Sequence, residues 1–82
     1  MSRLIVKGLP AKCKEPELRK VFSEFGTVTD VSLKYTHDGV FRRFAFVGFA
    51  ENENCRKAAK KLNNSFIGTS RILVNTVYPF QI

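Results

Sequence analysis

Phe41-Arg42-Arg43-Phe44-Ala45-Phe46-Val47-Gly48-Phe49 is the stretch on which the fold turns. The turn residues Thr36-His37-Asp38-Gly39 before it and its aromatic content read as the start of a strand. Successive side chains of a strand point to opposite faces, so Phe44 and Phe46 share one face while Ala45, Val47 and Phe49 share the other. Both faces are apolar, and each needs its own explanation.

Working outward, Val28, Val31 and Leu33 point one way and Ser32 and Lys34 the other, with an irregularity expected near Thr29-Asp30. This is a strand that precedes the turn. Leu4-Ile5-Val6, closed by Gly8-Leu9-Pro10, has the composition of a first strand. Between the two, Leu18, Val21, Phe22 and Phe25 fall at i, i+3, i+4 and i+7, the period of an amphipathic helix. Pro16 suits its first turn, Glu15 and Glu17 complement the positive end of its dipole, and Gly26 is expected to stop it in the left-handed conformation. The same period returns at Cys55, Ala58, Ala59 and Leu62, opened by Glu51 and Glu53 and stopped at Asn63-Asn64. Its exposed side carries Arg56, Lys57, Lys60 and Lys61. Ile72 to Val77, entered from the loop Gly68-Thr69-Ser70, is the last strand.

The order βαββαβ predicts an α+β, ferredoxin-like sandwich: a four-stranded antiparallel sheet with two helices on one face. Each helix offers a single apolar stripe, so the other sheet face stays open. Parity sends Leu4, Val6, Val31, Leu33, Ala45, Val47, Phe49, Ile72 and Val74 toward the helices. It sends Ile5, Lys7, Ser32, Lys34, Phe44, Phe46, Leu73 and Asn75 to the open face.

At 82 residues the chain is long enough for one domain that hides roughly 60–65% of its unfolded surface, and too short for a second core beside a catalytic cleft. The 14 Lys and Arg against 7 Asp and Glu leave a net charge of +7, a potential that gathers polyanions. No apolar run approaches the length of a membrane span, and Lys7, Gly8 and Pro10 interrupt any secretory signal after Met1-Ser2-Arg3-Leu4. A soluble, intracellular monomer is expected. Cys13 and Cys55 lack metal-clip spacing; Cys55 lies on an apolar helix stripe and Cys13 reads as a loop thiol. His37 stands in a turn with no nucleophile or carboxylate pair near it in sequence. No cofactor, metal or catalytic residue is therefore expected. An acylphosphatase-like phosphate loop is also disfavoured, since Gly8-Leu9-Pro10-Ala11-Lys12-Cys13 has one glycine and no arginine.

Two phenylalanines on a solvated sheet, rimmed by Lys7, Lys34, Arg42 and Arg43, form an apolar patch that monomers rarely expose without a partner. Unstacked bases have flat faces and their nucleotides carry phosphates, which suits single-stranded RNA. Arg42-Arg43-Phe44-Ala45-Phe46-Val47-Gly48-Phe49 resembles the octamer of the RNA-recognition motif (RRM), Lys/Arg-Gly-Phe/Tyr-Gly/Ala-Phe-Val-x-Phe/Tyr, departing only where Arg43 replaces Gly. Leu4-Ile5-Val6-Lys7-Gly8-Leu9 resembles the companion hexamer, with Ile5 where the family usually carries an aromatic. The resemblance implies that Phe46 stacks on a base, Phe44 packs against bases or sugars, and Arg42 meets a phosphate. Ile5, Lys7, Lys34, Leu73, Asn75 and Tyr78 complete the expected RNA surface.

Met1 to Pro10, the loop into Phe41-Arg42-Arg43-Phe44, and Asn64-Ser65-Phe66-Ile67-Gly68-Thr69-Ser70-Arg71-Ile72 are similar to the N-terminal RRM of the multiple-RNA-binding-domain proteins of ribosome biogenesis. That resemblance implies residues 1–82 as one RRM from a longer multi-RRM protein. It also implies pre-ribosomal RNA as the target, neighbouring RRMs of the same chain as possible partners, and a nuclear, nucleolar location. The alternative is an RRM-fold protein-interaction module with weak or no RNA binding, which the aliphatic Ile5 keeps open.

Overall fold

A computed structural model describes residues 2–77. Strand β1 (Ser2–Lys7) leads to helix α1 (Glu15–Ser23), the hairpin strands β2 (Val28–Tyr35) and β3 (Phe41–Phe49), and helix α2 (Asn52–Leu62). A short hairpin of β4 (Phe66–Ile67) and β5 (Ser70–Arg71) follows, then β6 (Leu73–Val77). The antiparallel main sheet has the order β2-β3-β1-β6, as the sequence order βαββαβ predicts. No helix among the described residues is long and apolar enough to cross a membrane.

The helices form for the reasons their sequences suggest. In α1 Pro16 lies in the first turn with Glu15 and Glu17, and Arg19 reaches back one turn to Glu15 at 3.2 Å. It ends before Gly26, through the tighter bonds Phe25 N–H to Phe22 O and Gly26 N–H to Ser23 O. Gly26 follows the helix end with φ +152°, a conformation that residues with a Cβ rarely adopt, and the Asn54 side chain of α2 also occupies the space a Cβ would need. That glycine is a contact point between α2 and the end of α1, which no local cap rule reveals. Asn63 ends α2, and its Oδ1 accepts the Val74 amide at 2.9 Å, tying the helix to β6.

The core lies wholly on the helix side. Leu4, Val6, Ala45, Val47, Phe49, Ile72 and Val74 are buried there with Leu18 and Phe22 of α1 and Cys55 and Ala58 of α2. Val31, Leu33, Val21, Phe25, Ala59 and Leu62 pack around them. Phe22 and Phe49 meet edge-to-face at 6.4 Å, the favoured geometry for two quadrupoles. Leu9 and Cys13, from the loop after β1, close one end of this core, so Cys13 is a loop thiol as expected, and a buried one. Burial pushes the thiols of both Cys13 and Cys55 above their ordinary range, and Glu17 adds to the effect at Cys13.

Two further details depart from the one-dimensional reading. Ile72 is buried as parity requires, yet it stands outside the main ladder, exchanging bonds with the α2–β4 connection through Ile72 N–H to Ser65 O and Asn64 N–H to Ile72 O, both 2.8 Å. The stretch before it is not a plain loop but the β4–β5 hairpin, with Phe66 paired to Arg71.

Phe49 is fully buried and contacts the α1 aromatic, so Phe49→Ala is expected to lower folding stability by about 3–5 kcal/mol. Urea unfolding followed by circular dichroism measures it; an unchanged midpoint would remove Phe49 from the core.

Candidate nucleic-acid interface

Pairing register arranges the open face into cross-strand rows. Phe46 lies opposite both Ser32 and Ile5, and Ile5 lies opposite Asn75, so the central row runs Ser32, Phe46, Ile5, Asn75. The next row runs Phe44, Lys7, Leu73. Lys34 falls in the irregular stretch of β2 between Leu33 and Tyr35, beside that row. All eight residues assigned to this face by parity thus stand on it together. Phe44, Phe46 and Ile5 are half-buried by their neighbours, whereas Lys7, Asn75 and Leu73 are exposed, Leu73 to 44%. Tyr78 lies outside the described residues.

The two rings form an L-shaped platform, with centroids 6.0 Å apart and planes at 83°. Each ring carries a cation. Lys34 Nζ is 5.6 Å from the Phe46 centroid and Arg42 Cζ is 5.2 Å from that of Phe44. At a solvated site such a contact holds with about 0.5–1 kcal/mol, less than the ~1–3 kcal/mol of a base stacked on an aromatic. An arriving base can therefore displace the cation from the ring, and the freed charge remains within reach of the phosphate that accompanies the base. Stacking and phosphate capture are thus built from the same pairs.

Further along the face a third row was not anticipated. Gly48 lies opposite both Arg3 and Asp30, and across it Arg3 Nη2 donates to Asp30 Oδ2 at 3.1 Å. A Cβ on Gly48 would collide with the Asp30 carboxylate and lie 2.7 Å from Thr29 Oγ1. The small residue at the octamer's variable position lets an ion pair span three strands beside Phe46. The expected irregularity near Thr29-Asp30 is there, a register shift between Val28 and Asp30 that brings Asp30 opposite Gly48. Charge alternation alone could not disclose the pair, because Arg3 and Asp30 are separated by 27 residues.

The second irregularity, between Leu33 and Tyr35 on β2, faces Arg42 and Arg43 on β3. Arg43 has φ +62°, left-handed backbone that side chains other than Gly, Asn and Asp seldom adopt. This is the octamer position where glycine is usual, and the conformation explains that usage physically. Ile5, Lys7, Gly8, Arg42, Arg43 and Phe44 line a shallow depression of about 290 Å³ at this end of the face.

The basic stripe of α2, Arg56, Lys57, Lys60 and Lys61, is exposed beyond the helix layer and takes no part in the platform. Among the described residues, no group of three or more His, Cys, Asp or Glu could hold a metal ion.

Comparison with known proteins agrees with this geometry. Residues 4–73 match the RNA recognition motif family. Over 74 residues the chain is 58% identical to probable RNA-binding protein 19 of Homo sapiens, a match covering 90% of this chain and 8% of that protein. Over 81 residues it is 48% identical to multiple RNA-binding domain-containing protein 1 of Candida albicans, covering 99% of this chain and 10% of that one. The chain thus spans about a tenth of the length of these relatives. Among solved structures it resembles the Sex-lethal RNA recognition domains 1 and 2 from Drosophila melanogaster, with a TM-score of 0.87, 26% identity, and coverage of 96% of this chain and 51% of that one. It resembles the Sex-lethal protein/RNA complex at a TM-score of 0.86 and 25% identity, covering 96% and 48%. A chain that matches this family from residue 4 to residue 73, and sets Phe44 and Phe46 of the family's octamer on the uncovered side of its sheet, belongs to the RNA recognition motif family.

Proposed function

We propose that the open sheet face binds single-stranded RNA by stacking bases on Phe46 and Phe44, as one module of a longer multi-RRM protein that acts on pre-ribosomal RNA in the nucleolus. One observation carries the reading: two aromatic rings on an uncovered sheet, each with a cation within 6 Å of its centre. The similarity to a protein named for multiple RNA-binding domains supports the larger context. In this reading Ile5 and Leu73 give apolar contact, Lys7, Lys34 and Arg42 meet phosphates, and Asn75 and Tyr78 offer polar groups to base edges. The domain acts by binding rather than by catalysis. One sheet holds about two or three bases, so a single domain binds modestly and neighbouring RRMs in the same chain supply avidity.

Phe46→Ala and Phe44→Ala are each expected to weaken a short single-stranded RNA by about 1–3 kcal/mol while the circular dichroism melt stays that of a folded domain. Fluorescence anisotropy reads the affinity. Unchanged binding by both variants would remove stacking from the account.

With about three phosphates neutralised at ~0.7 each, log K is expected to fall against log salt with a slope near −2. Arg42→Ala flattens that slope by most of one contact and leaves sequence preference alone. An affinity indifferent to salt would rule out the phosphate contacts.

Ile5 lies between Phe46 and Asn75 in the central row, where it offers apolar area but no flat π surface. Ile5→Tyr is expected to tighten RNA by up to about 1–3 kcal/mol with little change in stability. A protein-interaction surface shaped around isoleucine predicts the opposite, since a larger ring would clash with the partner. Titrating both forms with one RNA at one salt concentration separates the two, and equal or weaker binding by the tyrosine form counts against bases over β1.

A further inference from the structure

Arg43 holds a backbone conformation that glycine adopts freely and that a Cβ opposes, at a position where the family octamer has glycine. It is not placed there by a loose loop. Its carbonyl accepts the Leu9 amide at 3.0 Å, and Leu9 is itself buried, so the bulge is anchored to the end of β1 and to the core. Backbone held in a sparsely populated region by its surroundings commonly marks a working site. What the residue reaches is the depression of about 290 Å³ bounded by Ile5, Lys7, Gly8, Arg42 and Phe44. Three cations converge on that hollow, and among the described residues the ion pairs are Arg3–Asp30 and Arg19–Glu15, so none of the three is neutralised by a carboxylate. Phe44 forms one wall, with Arg42 over its ring. A cavity with an aromatic wall and three unpaired cations suits an anion attached to a flat group.

We propose that this depression is a phosphodiester subsite completed by Arg43, which holds the phosphate of the nucleotide whose base packs on Phe44. Arg43 contributes a fork of N–H donors suited to a phosphate, from a point that the bulge keeps fixed. The proposal rests on the reading of the sheet face as an RNA surface and adds a specific contact to it. The left-handed backbone then sets stability against binding at a single residue: glycine there relaxes the chain and empties the subsite.

Three substitutions separate charge from strain. Arg43→Gly is expected to raise the melting temperature by a few degrees while weakening a 5′-labelled short single-stranded RNA of mixed sequence several-fold and flattening its salt slope by about 0.7. Arg43→Asn, which tolerates the left-handed region without charge, weakens RNA in the same way. Arg43→Lys keeps the charge and is expected to keep the slope. A scan in which single phosphodiesters are replaced by neutral methylphosphonates locates the contact: one position is expected to weaken the unsubstituted domain and leave Arg43→Asn unaffected. Phe46→Ala and Phe44→Ala are titrated alongside. If either loses affinity while Arg43→Asn matches the parent protein in affinity and slope, the subsite is overturned and the stacking reading stands. If Phe46→Ala and Phe44→Ala both bind as the parent does, the stacking reading falls and the subsite with it.

Discussion

Everything in this domain follows from a shortage of apolar cover. Two short helices each bury one stripe, α1 over β2 and α2 over β6, β1 and β3, and both stripes are spent on the same side of the sheet. Because side chains alternate along a strand, every residue that points into that core leaves its neighbour pointing to water. Ala45 and Val47 are fully buried on the helix side; Phe46, between them, is left on the other side for a ligand. The binding face is therefore the unavoidable reverse of the core. A one-residue slip of β3 would exchange the two sets and abolish both at once.

What the chain places on that reverse face resolves a conflict in physical demands. An exposed aromatic pair invites association, and a cluster of cations resists packing against protein. Put together, each moderates the other: Lys34 and Arg42 rest against the rings in the free domain, shielding part of the apolar area while keeping their charge solvated. The same arrangement prepares both halves of a nucleotide's recognition. The Arg3–Asp30 pair beside it behaves differently, since its charges satisfy each other across Gly48 and offer less to a phosphate than Lys7 or Arg42 does. Being solvent-exposed, that pair adds little stability, and its effect is to border the stacking area with neutralised charge.

The irregular backbone is concentrated where function is. β1 and β6 pair without interruption over Arg3 to Lys7, whereas β2 and β3 carry both register shifts, one beside the Arg3–Asp30 bridge and one beside Arg42 and Arg43. Bulges re-aim side chains without disturbing the core, because the extra residue is taken up at the edge of the ladder. At the first shift the extra residue, Thr29, lies on the edge strand β2. At the second the extra residues lie on β3 at Arg42 and Arg43, beyond the Lys7–Phe44 pair where the pairing with β1 ends, so the central pairing of β1 with β3 stays intact.

Much of this was legible in one dimension. The switch from period 2 to period 3.6 and back located the six principal elements, and parity alone separated Phe44 and Phe46 from Ala45, Val47 and Phe49, because both signals are local and repeat over several residues. The β4–β5 hairpin escaped, since two-residue strands are too short to show a period. The burial of the loop thiol Cys13 was not legible, because loop burial depends on what the loop closes over, here the end of a core built from residues on other elements. Gly26 closes the helix end as its sequence suggests, but that it is also a seat for Asn54, a residue of the other helix, is not legible locally. The left-handed Arg43 and the bridge over Gly48 depend on the register of β2 against β3 and of β3 against β1. Sequence by itself determined which residues are apolar and with what period, and hence the order of elements and the face each residue takes. Only the tertiary structure decided which side chains meet across that face, because register and bulges are set jointly by strands that lie far apart in the chain.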